Sequence, residues 1–87
     1  MNILVPVSLG KKVNGLDHTT YENIEDEIYS HFWDVVVVQN PDDLKVAIQF
    51  QKFGIQIVYV GAGKVKNVFN VNSEDIEDFL NLLNSIS

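Results

Sequence analysis

The sequence lacks cysteine and arginine, and each absence excludes a class of protein. Without cysteine, the chain has no disulfide framework and none of the thiolate ligands of a zinc finger. Without arginine, it lacks the bidentate side chain that reads guanine in the major groove of DNA. Six lysines stand against twelve acidic residues, for a net charge of −6, which opposes binding to a phosphate backbone. We therefore expect no nucleic-acid partner, no cofactor and no metal site.

Long hydrophobic segments are also missing. No unbroken apolar run is longer than Val35–Val38, whereas a membrane-spanning helix needs roughly 20 apolar residues. The opening residues 2–8 carry no positively charged leader and are typical of a core strand rather than a signal peptide. These features predict a cytoplasmic protein without a membrane partner.

The composition suits one small domain over residues 1–87. A chain of this length has room for a single hydrophobic core, and 46% of its residues are hydrophobic. Because no cysteine is available to crosslink it, apolar packing has to supply the stability.

Four β-prone segments are separated by helical patterns, which predicts the order β-α-β-α-β-β-α. The strands are expected at residues 2–8, Val35–Val38, residues 55–60 and residues 65–71. The valine run is apolar on both faces, as in a central strand of a mostly parallel sheet. The pattern therefore predicts an α/β fold with a four-stranded sheet.

Capping signals mark the three helix starts. Thr19 and Glu22 have the spacing of a capping box, which predicts a first helix reaching about Phe32. Asn40, followed by proline and two acids, predicts a second helix that Gly54 ends, and residues 72–75 predict a third. The predicted core faces of the first two helices comprise Tyr21, Ile24, Ile28, Phe32, Leu44, Val46, Ala47, Ile48, Phe50 and Phe53.

The strand order is open between two arrangements. Short turns around the second helix favour a right-handed crossover to a parallel third strand, and the glycine-rich residues 61–64 predict a hairpin between the third and fourth. Order 2-1-3-4 covers both faces with helices, whereas order 1-2-3-4 leaves the first strand at an edge, which suits Pro6. We favour 2-1-3-4, because Pro6 lies near the end of its strand.

Two short resemblances accompany this pattern. The tail from Phe53, Gly54 and Ile55 through the hairpin to a final acidic helix resembles the C-terminal half of a thioredoxin-like domain. That family's Cys-x-x-Cys pair is absent, so the resemblance implies the topology without redox chemistry. The segment from Ile3 to Val7 resembles the opening strand of universal stress proteins, whose later glycine-rich nucleotide loop is missing here.

The first candidate site is a protein-binding face on the first helix. Glu22, Asp26, Tyr29 and Trp33 recur at steps of four, three and four, which places them on one stripe. Exposed aromatic rings beside carboxylates would anchor a partner with a basic surface. Alternatively, the helix stops near His31 and Trp33 turns inward as a core residue.

The second candidate site would bind a phosphate-bearing small molecule. If the first and third strands are parallel neighbours, residues 9–18 and 61–64 emerge at the same end of the sheet, where such folds place ligands. Glycine amides and lysine charges would then meet the phosphate. The candidate ligand-binding residues are Gly10, Lys11, Lys12, Gly61, Gly63 and Lys64.

An enzyme is the least supported reading. His18 follows Asp17 in the long loop and could act as a general base, but no nucleophile elbow and no metal-ligand spacing accompanies it. The leading prediction is a non-enzymatic acidic interaction module that binds and modulates another protein, as an inhibitor, an antitoxin-like protein or an adaptor does. The phosphate-binding domain is the alternative, and the sequence does not fix the oligomeric state.

Overall fold

Five strands form one parallel sheet in the computed structural model, which describes residues 1–86. The strands are β1 (Ile3–Pro6), β2 (Thr19–Tyr21), β3 (Val35–Val38), β4 (Gln56–Val60) and β5 (Phe69–Val71). The α-helices are α1 (Ile24–Ile28), α2 (Pro41–Ile48) and α3 (Ile76–Ile86), and 3-10 turns cover Val7–Val13, Gln51–Phe53 and Ser73–Asp75. The predicted α/β class is confirmed.

The sheet is covered on both faces, so β3 is buried throughout its length. Val35 and Val37 pack into the layer that contains α3 and the turn Val7–Val13. Val36 and Val38 pack into the opposite layer, beneath α1 and α2. This burial on both faces explains why the strand consists of consecutive valines, with no alternating polar residues.

The second helix begins where its sequence predicts. Asn40 Oδ1 accepts a hydrogen bond from the backbone N–H of Asp43 at 2.8 Å, and Pro41 occupies the first helical position. The α-helix itself ends at Ile48, and the turn Gln51–Phe53 continues it to Gly54. Gly54 has a φ of 92°, which favours glycine because it has no Cβ.

The first helix is shorter than predicted and begins later. Thr19–Tyr21 forms β2 alongside β1, so the proposed capping box is wrong. The true cap is Asn23, whose side chain accepts from the backbone N–H of Glu25 at 3.0 Å, and α1 ends at Ile28. Backbone pairing with β1 and burial of the Tyr21 ring outweigh one local capping contact. Phe32, predicted to face the core, is 95% exposed.

The preferred strand order is also wrong. The sheet has the order β2-β1-β3-β4-β5, so β3 separates the first predicted strand from the third. The unpredicted β2 covers the outer edge of β1, where its Tyr21 pairs with Pro6. β1 therefore lies inside the sheet, between β2 and the valine strand β3. The four predicted strands follow the alternative order 1-2-3-4, with β2 added outside the first. The order of all five strands is one of the common orders of doubly wound sheets.

The predicted hairpin is replaced by a parallel crossover. β5 begins only at Phe69 and runs parallel to β4, with Val58 opposite Phe69, so the thioredoxin-like topology is wrong as well. The side chain of Asn70 accepts from the backbone N–H of Val65 at 2.8 Å and donates to Val65 O at 2.9 Å. These bonds fold the intervening loop back on itself, and the chain enters β5 from the same end as β4.

The final helix supplies much of one core layer. Asn72 precedes the 3-10 turn and makes no side-chain capping bond, so the α-helix starts at Ile76. Ile76, Leu80 and Leu83 are buried against the sheet. Within residues 1–86, no helix is both long and apolar enough to cross a membrane.

Candidate functional site

The helical stripe predicted for protein binding does not exist as one surface. Trp33 is only 6% exposed, and its indole N–H donates to Glu27 O at 3.2 Å. Trp33 as a surface anchor is therefore wrong, and the alternative inward-turning tryptophan is confirmed. The reason is local: α1 ends at Ile28, so the following residues leave the helical path and carry the indole under the helix.

The other three stripe residues are exposed but divided. Glu22 precedes the capping Asn23 and lies with Asp26 around a polar depression. Tyr29, at the opposite end of α1, is 70% exposed and lines a different depression. Glu22 and Asp26 thus border one depression, and Tyr29 borders another.

The depression beside Tyr29 is an apolar cleft of about 330 Å³. Three of the rings around it stand largely in water: Tyr29 is 70% exposed, Phe32 95% and Phe53 69%. We call it the aromatic cleft after the rings in its lining, which are Tyr29, His31, Phe32, Trp33, Phe50 and Phe53. Asp34, an acidic residue, belongs to the same lining.

Two chain connections build the aromatic cleft. Residues 29–34 join α1 to β3, and residues 49–55 join α2 to β4. β3 and β4 are parallel neighbours with Val35 opposite Gln56, so both connections meet at the amino edge of the sheet. This edge lies opposite the carboxyl edge, where doubly wound folds usually bind ligands.

Hydrogen bonds hold the connection that carries Phe32. The side-chain amide of Asn2 donates to Phe32 O at 2.9 Å. The backbone N–H of Asn2 donates to Asp34 Oδ2 at 2.6 Å, and the backbone N–H of Asp34 donates to Asn2 O at 2.9 Å. These bonds hold the backbone at Phe32 and at Asp34, next to the point from which the Phe32 ring projects.

Ring contacts order the other side of the cleft. Tyr29 and Phe50 meet edge to face with centroids 5.2 Å apart, and Phe50 lies 6.1 Å from Phe53. His31 and Trp33 form a second edge-to-face pair at 5.5 Å. Such pairs prefer defined geometries, so these contacts favour a defined arrangement of the paired rings in the free protein.

Sequence reasoning missed Phe32 and Phe53 because it assigned both to core faces. A helix that starts at Thr19 instead of Asn23 extends the helical period to Phe32 and predicts that its ring faces the core. Asn23 followed by acids in the first turn was the signal for the later start. Phe53 lies in a 3-10 turn, whose period differs from that of the α-helix.

The predicted phosphate-binding loops share the carboxyl edge but are not adjacent. β1 and β4 are parallel, as the hypothesis requires, yet β3 separates them. Two of the groups in the first loop already bind protein atoms. Lys12 Nζ donates to Ser73 Oγ at 2.8 Å, and the backbone N–H of Gly15 donates to Glu77 Oε2 at 3.0 Å. Binding of a phosphate there remains a prediction that must compete with these contacts.

The remaining residues of those loops differ in exposure. Gly10 is half-buried, while Lys11 and Lys64 are exposed, as are both glycines of the second loop, Gly61 and Gly63. Between the loops, Gln39 Nε2 donates to Ser8 Oγ across the ends of β1 and β3. This bond occupies the point at which the strand order reverses.

Tyr21 and His18 are titratable residues whose side chains are within hydrogen-bonding distance of other groups of the protein. The Tyr21 hydroxyl donates to Asp43 Oδ2 at 2.9 Å, and burial together with that carboxylate raises its pKa well above the ordinary value. Tyr21 therefore acts as a structural donor. His18 Nδ1 lies 2.7 Å from Leu16 O, which requires the proton on that nitrogen. In residues 1–86 no cluster of three potential metal ligands occurs.

The chain thus presents two candidate surfaces at opposite edges of its sheet. No family model, curated protein or solved structure matches the chain. Of the two surfaces, the aromatic cleft exposes apolar rings that the fold has left in water, whereas part of the glycine-lysine surface is engaged within the protein. The aromatic cleft is the candidate functional site.

Proposed function

We propose that this protein is a non-enzymatic interaction module that binds another protein through the aromatic cleft, as an inhibitor, an antitoxin-like protein or an adaptor does. The observation that carries this proposal is the exposure of Tyr29, Phe32 and Phe53 around one concave apolar surface. Exposed apolar surface that is contiguous and concave is characteristic of interaction sites, whereas single exposed apolar residues are common on any protein.

The energy available from these rings is sufficient for an anchor. Moving one phenylalanine side chain fully out of water contributes about 1.5–3 kcal/mol. Interfaces concentrate their binding energy in a few aromatic and arginine side chains packed into pockets near the centre. Because Phe32 and Phe53 contribute little buried area to folding, most of their apolar surface is available to a partner.

The charge of the protein indicates a partner with a basic surface. The net charge is −6, and α1 carries Glu25, Asp26 and Glu27 in its first turn, on the helix whose far end presents Tyr29. Asp34 adds an acidic residue to the lining of the cleft. Complementary charge mainly accelerates association and selects the partner, and its effect falls as salt increases.

To test the proposal, a partner is captured from cells, purified and recombined with the purified protein to rebuild the complex. We expect Phe32→Ala and Phe53→Ala each to raise the dissociation constant about tenfold or more in calorimetry, as the loss of roughly 1.4 kcal/mol requires. Leu82→Ala is the matched control, since Leu82 is 57% exposed on α3 and lies outside the cleft. Equal affinity of all three variants and the unmodified protein would contradict the proposal.

A second copy of the chain is the competing occupant of the cleft. Sedimentation equilibrium of the isolated protein distinguishes the two cases, and we expect a monomer. Self-association that Phe32→Ala abolishes would assign the cleft to a homodimer and overturn the proposal of a different partner.

A further inference from the structure

We propose that the aromatic cleft receives a cationic side chain of the partner, a lysine or an arginine, rather than a neutral apolar one. This inference rests on the proposed function and specifies the chemistry that the cleft recognises. It depends on the juxtaposition of the aromatic rings with Asp34, an acidic residue, in one concave lining. A cation over an aromatic face is attracted by the ring quadrupole when it lies within roughly 6 Å of the centroid.

The protein already makes such a contact at the rim of the cleft. Lys52 Nζ lies 5.4 Å from the centroid of the Phe53 ring. An ammonium group from the protein itself therefore interacts with one of the rings that a partner would meet. A partner's cation would compete with Lys52 for Phe53 and would find further rings in Tyr29 and Phe32.

Asp34 distinguishes a cationic occupant from a neutral one. Its carboxylate is exposed in the free protein, with Oδ2 accepting the Asn2 backbone N–H at 2.6 Å. A partner that covers the cleft removes water from this carboxylate. A neutral apolar side chain would leave its charge uncompensated, which is costly in a low dielectric, whereas a lysine or arginine would neutralise it.

The surrounding charge favours the same occupant. Asp34, His31 and Tyr29 are the ionisable side chains of the lining, Lys52 adds a positive charge at its rim, and the whole chain carries a net charge of −6. A cation is thus drawn toward the protein at long range and toward the rings and carboxylate at short range. A neutral side chain would gain only from burial of the rings.

The test uses the single tryptophan of the chain, which lines the cleft. In the ¹⁵N-labelled protein, the Trp33 indole N–H gives a distinct resonance. It is titrated with capped tripeptides of glycine, X and glycine, where X is lysine, trimethyllysine, arginine or norleucine. We expect saturable shifts of this resonance and of the Phe32 and Phe53 amides, with the cationic peptides binding about five- to tenfold more tightly than the norleucine peptide.

Three variants sharpen the result. Asp34→Asn retains an acceptor for the Asn2 N–H, so the fold is kept while the preference for cationic peptides falls several-fold. Lys52→Gln removes the competing ammonium and tightens cationic binding, without the same gain for norleucine. Lys64→Gln makes the same charge change beyond the carboxyl end of β4, at the opposite edge of the sheet, and is the control for long-range electrostatics.

The outcomes separate this inference from the proposed function. Equal binding of the norleucine and lysine peptides would overturn the cationic occupant and leave an apolar docking cleft. A Trp33 resonance that none of the peptides moves at millimolar concentration would also overturn it, since the rings and carboxylate would then form no pocket for a side chain. In both cases the effect of Phe32→Ala on the rebuilt complex still decides the proposed function independently.

Discussion

Phe32 and Trp33 are adjacent in the chain but lie in opposite environments, and replacing each with alanine tests whether the cleft is a free surface. Phe32 is 95% exposed, so about one twentieth of its surface contributes to folding. If full burial of the side chain contributes up to about 3 kcal/mol, Phe32→Ala changes the free energy of unfolding by less than about 0.3 kcal/mol.

Trp33→Ala has a far larger expected effect. Trp33 is 6% exposed and its indole N–H donates to Glu27 O, so truncation leaves a cavity and removes that hydrogen bond. Large-to-small replacements of buried aromatic residues cost about 3–5 kcal/mol. The total stability of a domain is roughly 0.05–0.15 kcal/mol per residue, so this loss removes a large share of it.

The assay is urea denaturation followed by far-ultraviolet circular dichroism, since Trp33→Ala removes the only tryptophan. The denaturant slope must match that of the unmodified protein for the comparison of free energies to hold. A loss above about 1.5 kcal/mol in Phe32→Ala would refute the reasoning, because such a ring must be packed. A loss below about 1 kcal/mol in Trp33→Ala would refute the interior position of the indole.

Three further predictions concern the fold that supports the cleft. Tyr21→Phe costs about 1 kcal/mol at neutral pH by removing the hydroxyl bond to Asp43. The raised pKa keeps Tyr21 protonated in the folded state, whereas the unfolded chain releases that proton above pH 10.0. The free energy of unfolding of the unmodified protein therefore decreases as the pH rises above 10.0, and Tyr21→Phe lacks this contribution to the decrease. Asn40→Ala costs about 1 kcal/mol in urea denaturation through loss of the α2 cap, and a neutral result would deny the capping bond a role in stability. Gly54→Ala lowers the thermal midpoint, since its φ of 92° strains any residue with a Cβ, and an unchanged midpoint would contradict that conformation.

The parts of the fold that the sequence predicts are those whose signals are local. The start of α2 is encoded by Asn40 and the three residues after it, and every group in that cap lies within one helical turn. The two-sided burial of β3 is likewise visible in the run of valines, whatever strands lie beside it. The α/β class follows from such local patterns alone.

The missed features depend on contacts between distant residues. Thr19–Tyr21 carries a plausible helix cap, but its pairing with β1 depends on residues more than a dozen positions away. Without that strand, the sequence pattern predicts a first helix that begins too early and that places Phe32 in the core. The predicted strand order is wrong for the same reason, because β2 forms the edge of the sheet and β1 lies inside it.

The aromatic cleft shares Tyr29 with the protein-binding face predicted from the sequence. Tyr29 was predicted as an exposed aromatic anchor, and it is 70% exposed. Its companions proved to be Phe32 and Phe53 instead of Trp33, because the two chain connections meet only when β3 and β4 are parallel neighbours. Sequence spacing within one helix cannot reveal a cleft formed between two connections.

The most direct measurement is amide hydrogen exchange of the purified complex compared with the free protein. Binding through the aromatic cleft predicts new protection at residues 29–34 and 49–55, at the amino edge of the sheet. Protection confined to residues 9–18 and 61–64, with no change around Phe32 and Phe53, would place the binding surface at the carboxyl edge and contradict the proposal.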